Sequence, residues 1–303
     1  MMKRFAIAIV LAVLVNGVGH SQDLTTNYLS YVHNFYNLNP AYCAIGHTFA
    51  GILDVRQRTG LSATNTMLGI NGMLNSNQGL GVRLVTDVRG PFQVMMVDAT
   101  YAYKLSLDKH QAVYFGLSAG LVNKSLNTSK IKNYDQLDGD DPVLDVSNFR
   151  STNFTAGAGL IYEYKSFEFA VSAPQLVGVN QKSFNYINVI AANIFYLNAQ
   201  YEITPMLIYF NTPVLKNLVS GQLKLEYNRR IWLQLGYQSN YMFNACVGFQ
   251  HNDLGIAYNY TSSNKLMNVQ TSGTHEVILT LRMGRKSKNH HLHKRQPDEE
   301  HVE

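Results

Sequence analysis

The strongest constraint on this chain is an alternation of apolar and polar residues with a period of two, broken at intervals by turn residues. In the segment 93–107, for example, Met95 and Val97 share one parity while Asp98 and Thr100 share the other. Since successive side chains of a β-strand point to opposite faces, each such segment predicts a strand with one apolar and one polar face. The approximate spans of the fourteen predicted strands are 48–57, 63–74, 78–87, 93–107, 111–123, 153–164, 167–175, 187–201, 206–211, 219–228, 231–238, 241–250, 254–261 and 274–283.

Three features favour a transmembrane β-barrel over a soluble β-sandwich, whose strands also alternate. Ionisable residues occur in mid-strand on the polar face, as expected where that face lines a wet lumen. Aromatic residues such as Tyr103 and Tyr227 occur at strand ends on the apolar face, as in the girdles at membrane interfaces. Short turns, one of them predicted at Ile203 to Pro205, alternate with longer loops, of which 124–152 and 262–273 are the longest. The charges predicted to face the lumen are Arg83, Asp98, Lys104, Glu163, Glu226 and Arg282.

The prediction is an all-β chain that forms a transmembrane antiparallel β-barrel. Because lipid offers no hydrogen-bond partners to an open sheet edge, the strands have to close on themselves. Residues 48–283 are predicted to form the barrel. Residues 22–47 are polar and aromatic without a clean period, and they are predicted to form a short plug-like segment in the lumen or the periplasm. Residues 284–303 are charged and histidine-rich, which predicts a disordered periplasmic tail.

Residues 1–21 have the pattern of a secretory signal peptide. Lys3 and Arg4 precede an apolar run from Phe5 to Val15, and small residues follow around Gly19. That run is shorter than the roughly 20 residues that a transmembrane helix needs. We therefore expect an exported chain that reaches the outer membrane and contacts its lipid.

The chain has 2 cysteines, Cys43 and Cys246. Cys246 has the lumen-facing parity of its strand, and Cys43 lies in the plug-like segment. A disulfide between that segment and the barrel wall and a pair of unrelated free thiols are both compatible with this placement.

The composition gives little support for catalysis or nucleic-acid binding. The HExxH and Walker A patterns do not occur, and His251 and His275 lie at strand ends. The net charge of +5 comes without a dense basic patch in the barrel. We therefore expect neither an enzyme, nor a cofactor or metal, nor a nucleic-acid partner.

An acidic stretch in the longest predicted loop is a candidate contact site. Asp138, Asp140 and Asp141 concentrate carboxylates there, but their spacing does not fit an EF-hand calcium loop. A solvated loop that contacts a partner protein is the favoured interpretation. Candidate partner-binding residues in the plug-like segment are Asn39, Pro40 and Tyr42.

Several short motifs follow one another in a defined order. They are Tyr36-Asn37-Leu38-Asn39-Pro40-Ala41-Tyr42, Arg56-Gln57-Arg58, Gly79-Leu80-Gly81 ahead of Gly90-Pro91, Ala102-Tyr103-Lys104, Phe115 to Leu121, the acidic Asp138 to Pro142, and Gly273-Thr274-His275-Glu276. Their order over about residues 35–283 resembles the PorP/SprF family of type IX secretion system membrane proteins found in Bacteroidetes.

This resemblance implies an outer-membrane barrel that supports the export or cell-surface attachment of secreted proteins, such as the adhesins of gliding motility. The implied partners are periplasmic ring and lipoprotein subunits of the secretion system and a secreted surface protein as client. The residues themselves leave one alternative open. Charges that line a barrel lumen also suit a passive porin-like channel for small solutes.

Overall fold

A computed structural model describes residues 35–58, 63–131, 151–177, 186–211, 217–262 and 273–285. They form one large sheet, preceded by a short α-helix, α1 (Phe35–Leu38), and a 3-10 helix (Pro40–Ala44); a second 3-10 helix (Thr128–Lys130) follows the fifth strand. The strands are β1 (His47–Arg58), β2 (Ala63–Met73), β3 (Gln78–Arg89), β4 (Phe92–Ser106), β5 (Gln111–Leu126), β6 (Ser151–Tyr164), β7 (Phe167–Val177), β8 (Ile187–Asn193), β9 (Phe195–Tyr196), β10 (Tyr201–Asn211), β11 (Leu218–Tyr227), β12 (Ile231–Gln238), β13 (Met242–His251), β14 (Leu254–Thr261) and β15 (Thr274–Arg285).

The sheet is antiparallel and closes into a ring. β1 pairs with β15, and β10 pairs with β11, so neither side of the sheet ends in an open edge. The two-residue β9 continues β8 after a break at Ile194, and both pair with β10. They count as one strand of the ring, and the predicted antiparallel barrel of 14 strands is confirmed.

The two faces of the barrel wall differ as the alternation predicts. On β14, Ile256 and Tyr258 point outward and are exposed, whereas Ala257 and Asn259 point inward and are buried. The same alternation runs along β13 and much of β4. An outer surface made of large apolar side chains suits contact with lipid, while polar side chains collect inside.

The two ends of the barrel differ in the length of their connections. At one end, named here the short-turn end, β2–β3, β6–β7 and β13–β14 are joined by residues 74–77, 165–166 and 252–253. At the other, the long-connection end, β5–β6 and β14–β15 are joined by residues 127–150 and 262–273. Because outer-membrane barrels have short periplasmic turns and longer external loops, we assign the short-turn end to the periplasm.

The sequence prediction of a turn at Pro205 is wrong. The turn covers residues 197–200, and Pro205 lies inside β10, in register with Leu223 of β11. Proline has no N–H to donate to a ladder. On the side away from β11, the ladder is interrupted around Ile194, where β8 stops and β9 begins, so the missing donor falls at a break in the pairing.

Some sequence predictions lie outside the described residues. They concern the signal peptide 1–21, the acidic residues Asp138, Asp140 and Asp141, and the tail beyond Arg285. No helix within the described part of the chain is long and apolar enough to cross a membrane.

A charge placed on the outer face should destabilise the barrel most at mid-height. Leu117, in the middle of β5, is 64% exposed, and Leu107, in a turn at the short-turn end, is 53% exposed. We expect Leu117→Arg to cost about 2–4 kcal/mol and Leu107→Arg about 0–1 kcal/mol, because the penalty falls toward the interface. Urea unfolding in lipid vesicles measures both. Equal costs would contradict the placement of β5 across the bilayer.

Candidate functional site in the barrel lumen

Residues 35–46, named here the lumen segment, lie inside the barrel. Arg83, near the middle of β3, donates a hydrogen bond to the backbone carbonyl of Asn37 at 2.6 Å, which fixes the depth of the segment. Phe35 and Ile45, near its two ends, line a cavity at the short-turn end. The lumen segment therefore enters the barrel, reaches mid-height and returns to the same end.

The turn of the lumen segment is formed by Asn39 and Pro40. Asn39 caps the 3-10 helix, because its side-chain oxygen accepts from the backbone N–H of Ala41 at 2.9 Å. Pro40 starts the helix, where its missing N–H costs nothing. The Asn39 amide nitrogen also donates to the backbone carbonyls of Leu160 and Val171, each at 3.2 Å. One side chain therefore shapes the turn and fixes it to β6 and β7.

Two glycines let the backbone of the lumen segment approach the wall. Gly116 of β5 and Gly159 of β6 are directly opposite each other in register. A Cβ atom on Gly116 would lie 2.2 Å from the backbone nitrogen of Ala41, and one on Gly159 would lie 1.9 Å from the side-chain oxygen of Asn39. Any larger residue at either position would collide with the segment.

A buried ion pair holds the deepest part of the lumen segment. The guanidinium of Arg83 binds one carboxylate oxygen of Asp98 on β4 through two nitrogens, at 3.0 and 2.6 Å. A third nitrogen donates to the backbone and side-chain oxygens of Asn37, at 2.6 and 3.0 Å. Arg83 and Asp98 are 5% and 3% exposed, so removing one partner would leave the other as an unpaired buried charge and would strongly destabilise the barrel.

Two tyrosines complete the attachment of the lumen segment. The Tyr36 hydroxyl donates to Thr100 of β4 at 3.0 Å, and the Tyr42 hydroxyl donates to the carboxylate of Glu168 on β7. Phe35 stacks on Tyr42 with 4.9 Å between ring centroids. The segment is therefore joined by polar contacts and apolar packing to the wall from β3 to β7.

The wall formed by β11 to β15 is lined differently. Its amide side chains bind one another: Gln234 donates to Gln222 at 2.8 Å, and Gln222 donates to Asn244 at 3.1 Å. Cys246 lies in a small apolar cluster on this wall, whereas Cys43 belongs to the cluster around the lumen segment. Both are buried free thiols, so the disulfide alternative is not realised.

A cavity of about 370 Å³, named here the vestibule, lies at the short-turn end. Its floor includes Phe35, Tyr42 and Ile45 of the lumen segment, and its walls carry charged side chains of both signs. Tyr114 of β5 donates to the Glu163 carboxylate at 2.6 Å on the vestibule wall. The floor is therefore aromatic and the wall charged.

The six charges predicted from the sequence to face the lumen fall into two places. Lys104, Glu163, Glu226 and Arg282 line the vestibule, and Arg83 and Asp98 form the ion pair at mid-height. Sequence reasoning missed Tyr114 and Glu168, which organise the vestibule wall. The available signal was their inward parity on β5 and β7, which they share with many residues that have no such role.

The candidate partner-binding residues Asn39, Pro40 and Tyr42 are buried in the lumen. The contacts of Asn39 and Pro40 are with the wall of this chain, and only Tyr42 also reaches the vestibule. Binding of a partner at Asn39 or Pro40 stays a prediction.

One pentapeptide has a spacing known from hydrolases. Gly116 to Gly120 reads G-x-S-x-G, the pattern of a nucleophile held on a strand-to-helix turn. Here it lies within the continuous strand β5, and Ser118 points inward and is buried. The required turn is missing, so the spacing does not make a nucleophile site. Among the described residues, no group of three or more His, Cys, Asp or Glu is placed to hold a metal ion.

The sequence matches one family model. The family is described as type IX secretion system membrane protein PorP/SprF, and the match covers residues 21–281. It includes the lumen segment, the strands β1 to β14 and most of β15. The comparison with curated proteins returned no match.

Solved structures similar to this chain include outer-membrane barrels. The outer membrane protein Omp33 of Acinetobacter baumannii has a TM-score of 0.50 at 7% identity, over 79% of this chain and 100% of that one. The monoaromatic hydrocarbon channel CymD has a TM-score of 0.47 at 10% identity, over 89% and 96%. The toluene transporter TodX of Pseudomonas putida has 0.47 at 11% identity, over 87% and 95%. At 7% identity the likeness to Omp33 concerns the fold alone, which is that of an outer-membrane barrel.

The close approach at Gly116 predicts that a side chain there displaces the lumen segment. In a Cys246→Ala background, Cys43 is the remaining thiol. Burial raises the pKa of the Cys43 thiol from 9.0 to about 12, which suppresses the reactive thiolate. Gly116→Val is expected to expose Cys43 and to speed its labelling by a maleimide at neutral pH by up to about a thousandfold, since each pKa unit is a factor of ten in thiolate.

The matched control for this experiment is Gly221→Val. Gly221 lies on β11, and a Cβ atom there would have no atom within 4 Å. Labelling of Cys43 should stay as slow as in the parent. If Gly116→Val also leaves labelling unchanged, the lumen segment does not lie against β5.

The ion pair at mid-height predicts strong non-additivity. Arg83→Met leaves Asp98 buried without its partner and is expected to cost about 3–5 kcal/mol, whereas the double change Arg83→Met with Asp98→Leu should recover most of that loss. Arg229→Met, at the more exposed pair with Glu202, should cost less. Urea unfolding in vesicles measures these three variants and the single change Asp98→Leu, which completes the comparison. Additive costs at Arg83 and Asp98 would contradict a coupled pair.

Proposed function

We propose that this barrel works in type IX secretion, because the chain belongs to the PorP/SprF family of type IX secretion system membrane proteins. It is an outer-membrane barrel, and its family and fold are those of membrane barrels rather than of enzymes. Membership of the family implies association with other components of the system. The finer proposal is that the barrel supports the export or cell-surface attachment of secreted proteins such as adhesins.

The observation that supports a binding role is the lumen segment. Arg83, Asp98 and Asn37 form a buried network at mid-height, where a conducting pore needs a wet passage. Opening that path would separate a buried ion pair from its third partner, which is costly in a low-dielectric interior. A barrel whose centre is occupied by its own chain is suited to hold partners at its ends.

The two ends of the barrel suit different partners. The short-turn end carries the vestibule, and we assign to it the contacts with periplasmic ring and lipoprotein subunits. The long-connection end carries the connections 127–150 and 262–273, and we assign to it the contact with a secreted client protein. Outside the described residues, Asp138, Asp140 and Asp141 stay candidates for that contact.

The alternative function is a passive channel for small solutes. Inward charges such as Lys104 and Glu226 would suit it, and the occupied lumen argues against it. Planar bilayers separate the two functions. The purified barrel should show no stable ion conductance, and a steady, ion-selective conductance would favour the channel.

The secretion role predicts a defined phenotype in cells. Deleting the gene should abolish the appearance of at least one secreted protein on the cell surface, and the wild-type gene should restore it. Surface proteomics of the deletion strain measures the loss, and crosslinking in cells followed by mass spectrometry identifies the partners. Intact surface proteins in the deletion strain, with no secretion component crosslinked, would contradict the proposal.

A further inference from the structure

We infer that the vestibule is a docking site for an acidic, aromatic-containing segment of a periplasmic partner protein. The inference rests on the proposed function and deepens it, since it names the chemistry of a partner at the short-turn end. Three observations support it: three lysines of the vestibule form no ion pair with a described carboxylate, the floor is aromatic, and the cavity lies at the short-turn end of the barrel.

The carboxylates of the vestibule wall already have donors. Tyr114 donates to Glu163, Tyr42 donates to Glu168, Arg229 pairs with Glu202 at 2.8 Å, Lys224 pairs with Glu226, and the backbone N–H of His110 donates to Asp108 at 2.6 Å. Two of these carboxylates are paired with cations of this chain, and the other three accept from neutral donors that leave their negative charge in place. Since six lysines and arginines but five carboxylates line the vestibule, its wall carries an excess of positive charge.

Three lysines of the vestibule are in a different situation. The ammonium of Lys104 lies over the ring of Tyr114 at 5.5 Å, and that of Lys165 lies over the ring of Tyr164 at 5.2 Å. Lys109 is exposed in the turn between β4 and β5. Among the described residues, none of the three forms an ion pair with a carboxylate.

These lysines give the vestibule unpaired positive charge on one side of its wall. Lys104 points inward and is partly buried, so its charge is screened less than that of a free surface lysine. A ligand carboxylate placed beside it would gain a charge-assisted hydrogen bond without breaking an ion pair of the wall. The excess of positive charge in the vestibule therefore favours an anionic ligand.

The floor adds an apolar requirement. Phe35 and Tyr42 stack on each other and face the vestibule together with Ile45. Aromatic rings at the base of a charged recess favour a ligand that brings an apolar or aromatic side chain between its acidic groups. The volume of about 370 Å³ is in the range of small-ligand pockets, which suits a few side chains of an extended peptide.

The position of the vestibule favours a protein over a membrane lipid as its ligand. The barrel wall separates the vestibule from lipid, so a membrane headgroup reaches it poorly. The short-turn end is the periplasmic end by the length of its connections, so the ligand comes from that side. A protein segment is the periplasmic ligand that combines carboxylates with an aromatic side chain.

The experiment uses the full-length barrel in detergent micelles and a fluorescein-labelled probe peptide, Glu-Glu-Phe-Glu-Glu. Fluorescence anisotropy measures its binding, with Gln-Gln-Phe-Gln-Gln and Lys-Lys-Phe-Lys-Lys as comparison peptides. We expect the acidic peptide to bind at least about tenfold more tightly than either, and to weaken as salt rises from about 50 to about 500 mM, because added salt screens exposed charges. Equal binding of the Gln peptide would overturn the inference.

The decisive variant combines Lys104→Met, Lys109→Ala and Lys165→Ala. It should weaken binding of the acidic peptide at least about tenfold. The matched control, Lys124→Ala with Lys130→Ala, removes two lysines near the long-connection end and should change binding less than about twofold. If the triple variant binds like the wild type, or if the control loses binding to the same degree, the vestibule is not the site.

A second variant keeps the test decisive if the triple variant folds poorly. Lys109 and Lys165 are exposed turn residues, so Lys109→Glu with Lys165→Glu should leave the barrel intact. It should shift the preference from the acidic toward the Lys peptide. An unchanged preference overturns the inference.

Complementing the deletion strain with these variants distinguishes failure of this inference from failure of the proposed function. If deleting the gene leaves surface proteins intact, the secretion role is wrong, whatever the peptide does. If deletion removes them and the triple variant restores them fully, the secretion role stands and the docking role of the vestibule is wrong. Loss with the triple variant and rescue with the control variant supports both.

Discussion

Lipid offers no hydrogen-bond partner to a backbone N–H or C=O group, and the rest of this structure depends on that constraint. It requires the pairing of β10 with β11 and of β1 with β15 that closes the ring. Closure creates an interior, and the alternation that sends apolar side chains to the lipid sends charges and amides inward. Those groups then need partners of their own, because a buried polar group without one is costly. The lumen segment supplies part of them.

The lumen is filled asymmetrically. From β3 to β7 the wall bonds to the lumen segment, and the glycines Gly116 and Gly159 make room for its backbone. From β11 to β14 the amides bond to one another instead, as Gln222 does with Gln234. The segment is therefore built into one side of the wall rather than suspended in a channel. Arg83 connects the wall to the lumen segment, since it binds both Asp98 of β4 and Asn37 of the segment.

The sequence predicts the wall of this barrel far better than its contents. Alternation is a local signal that runs along most of the strands, so the strand count and the facing of most residues follow from it. Pro205 misled the prediction because proline usually marks a turn, whereas a break in the neighbouring ladder accommodates it here. The hydrogen bonds from Asn39 to the backbone of Leu160 and Val171 join residues that are 121 and 132 positions apart in the sequence. No local sequence pattern predicts contacts of that kind. The alternation predicted which charged side chains point into the lumen. It could not predict that four of them group around the vestibule, because closure of the ring brings them together.

The geometry of the lumen segment ties the vestibule to the centre of the barrel. Both ends of the segment lie at the short-turn end, and Tyr42, which helps to form the vestibule floor, is bound to Glu168 on the wall. A partner that docks in the vestibule therefore contacts the same chain stretch that Arg83 holds at mid-height. Moving the floor would therefore pull on the residues between Tyr42 and Asn37, and Asn37 is bound to a buried ion pair whose disruption is costly.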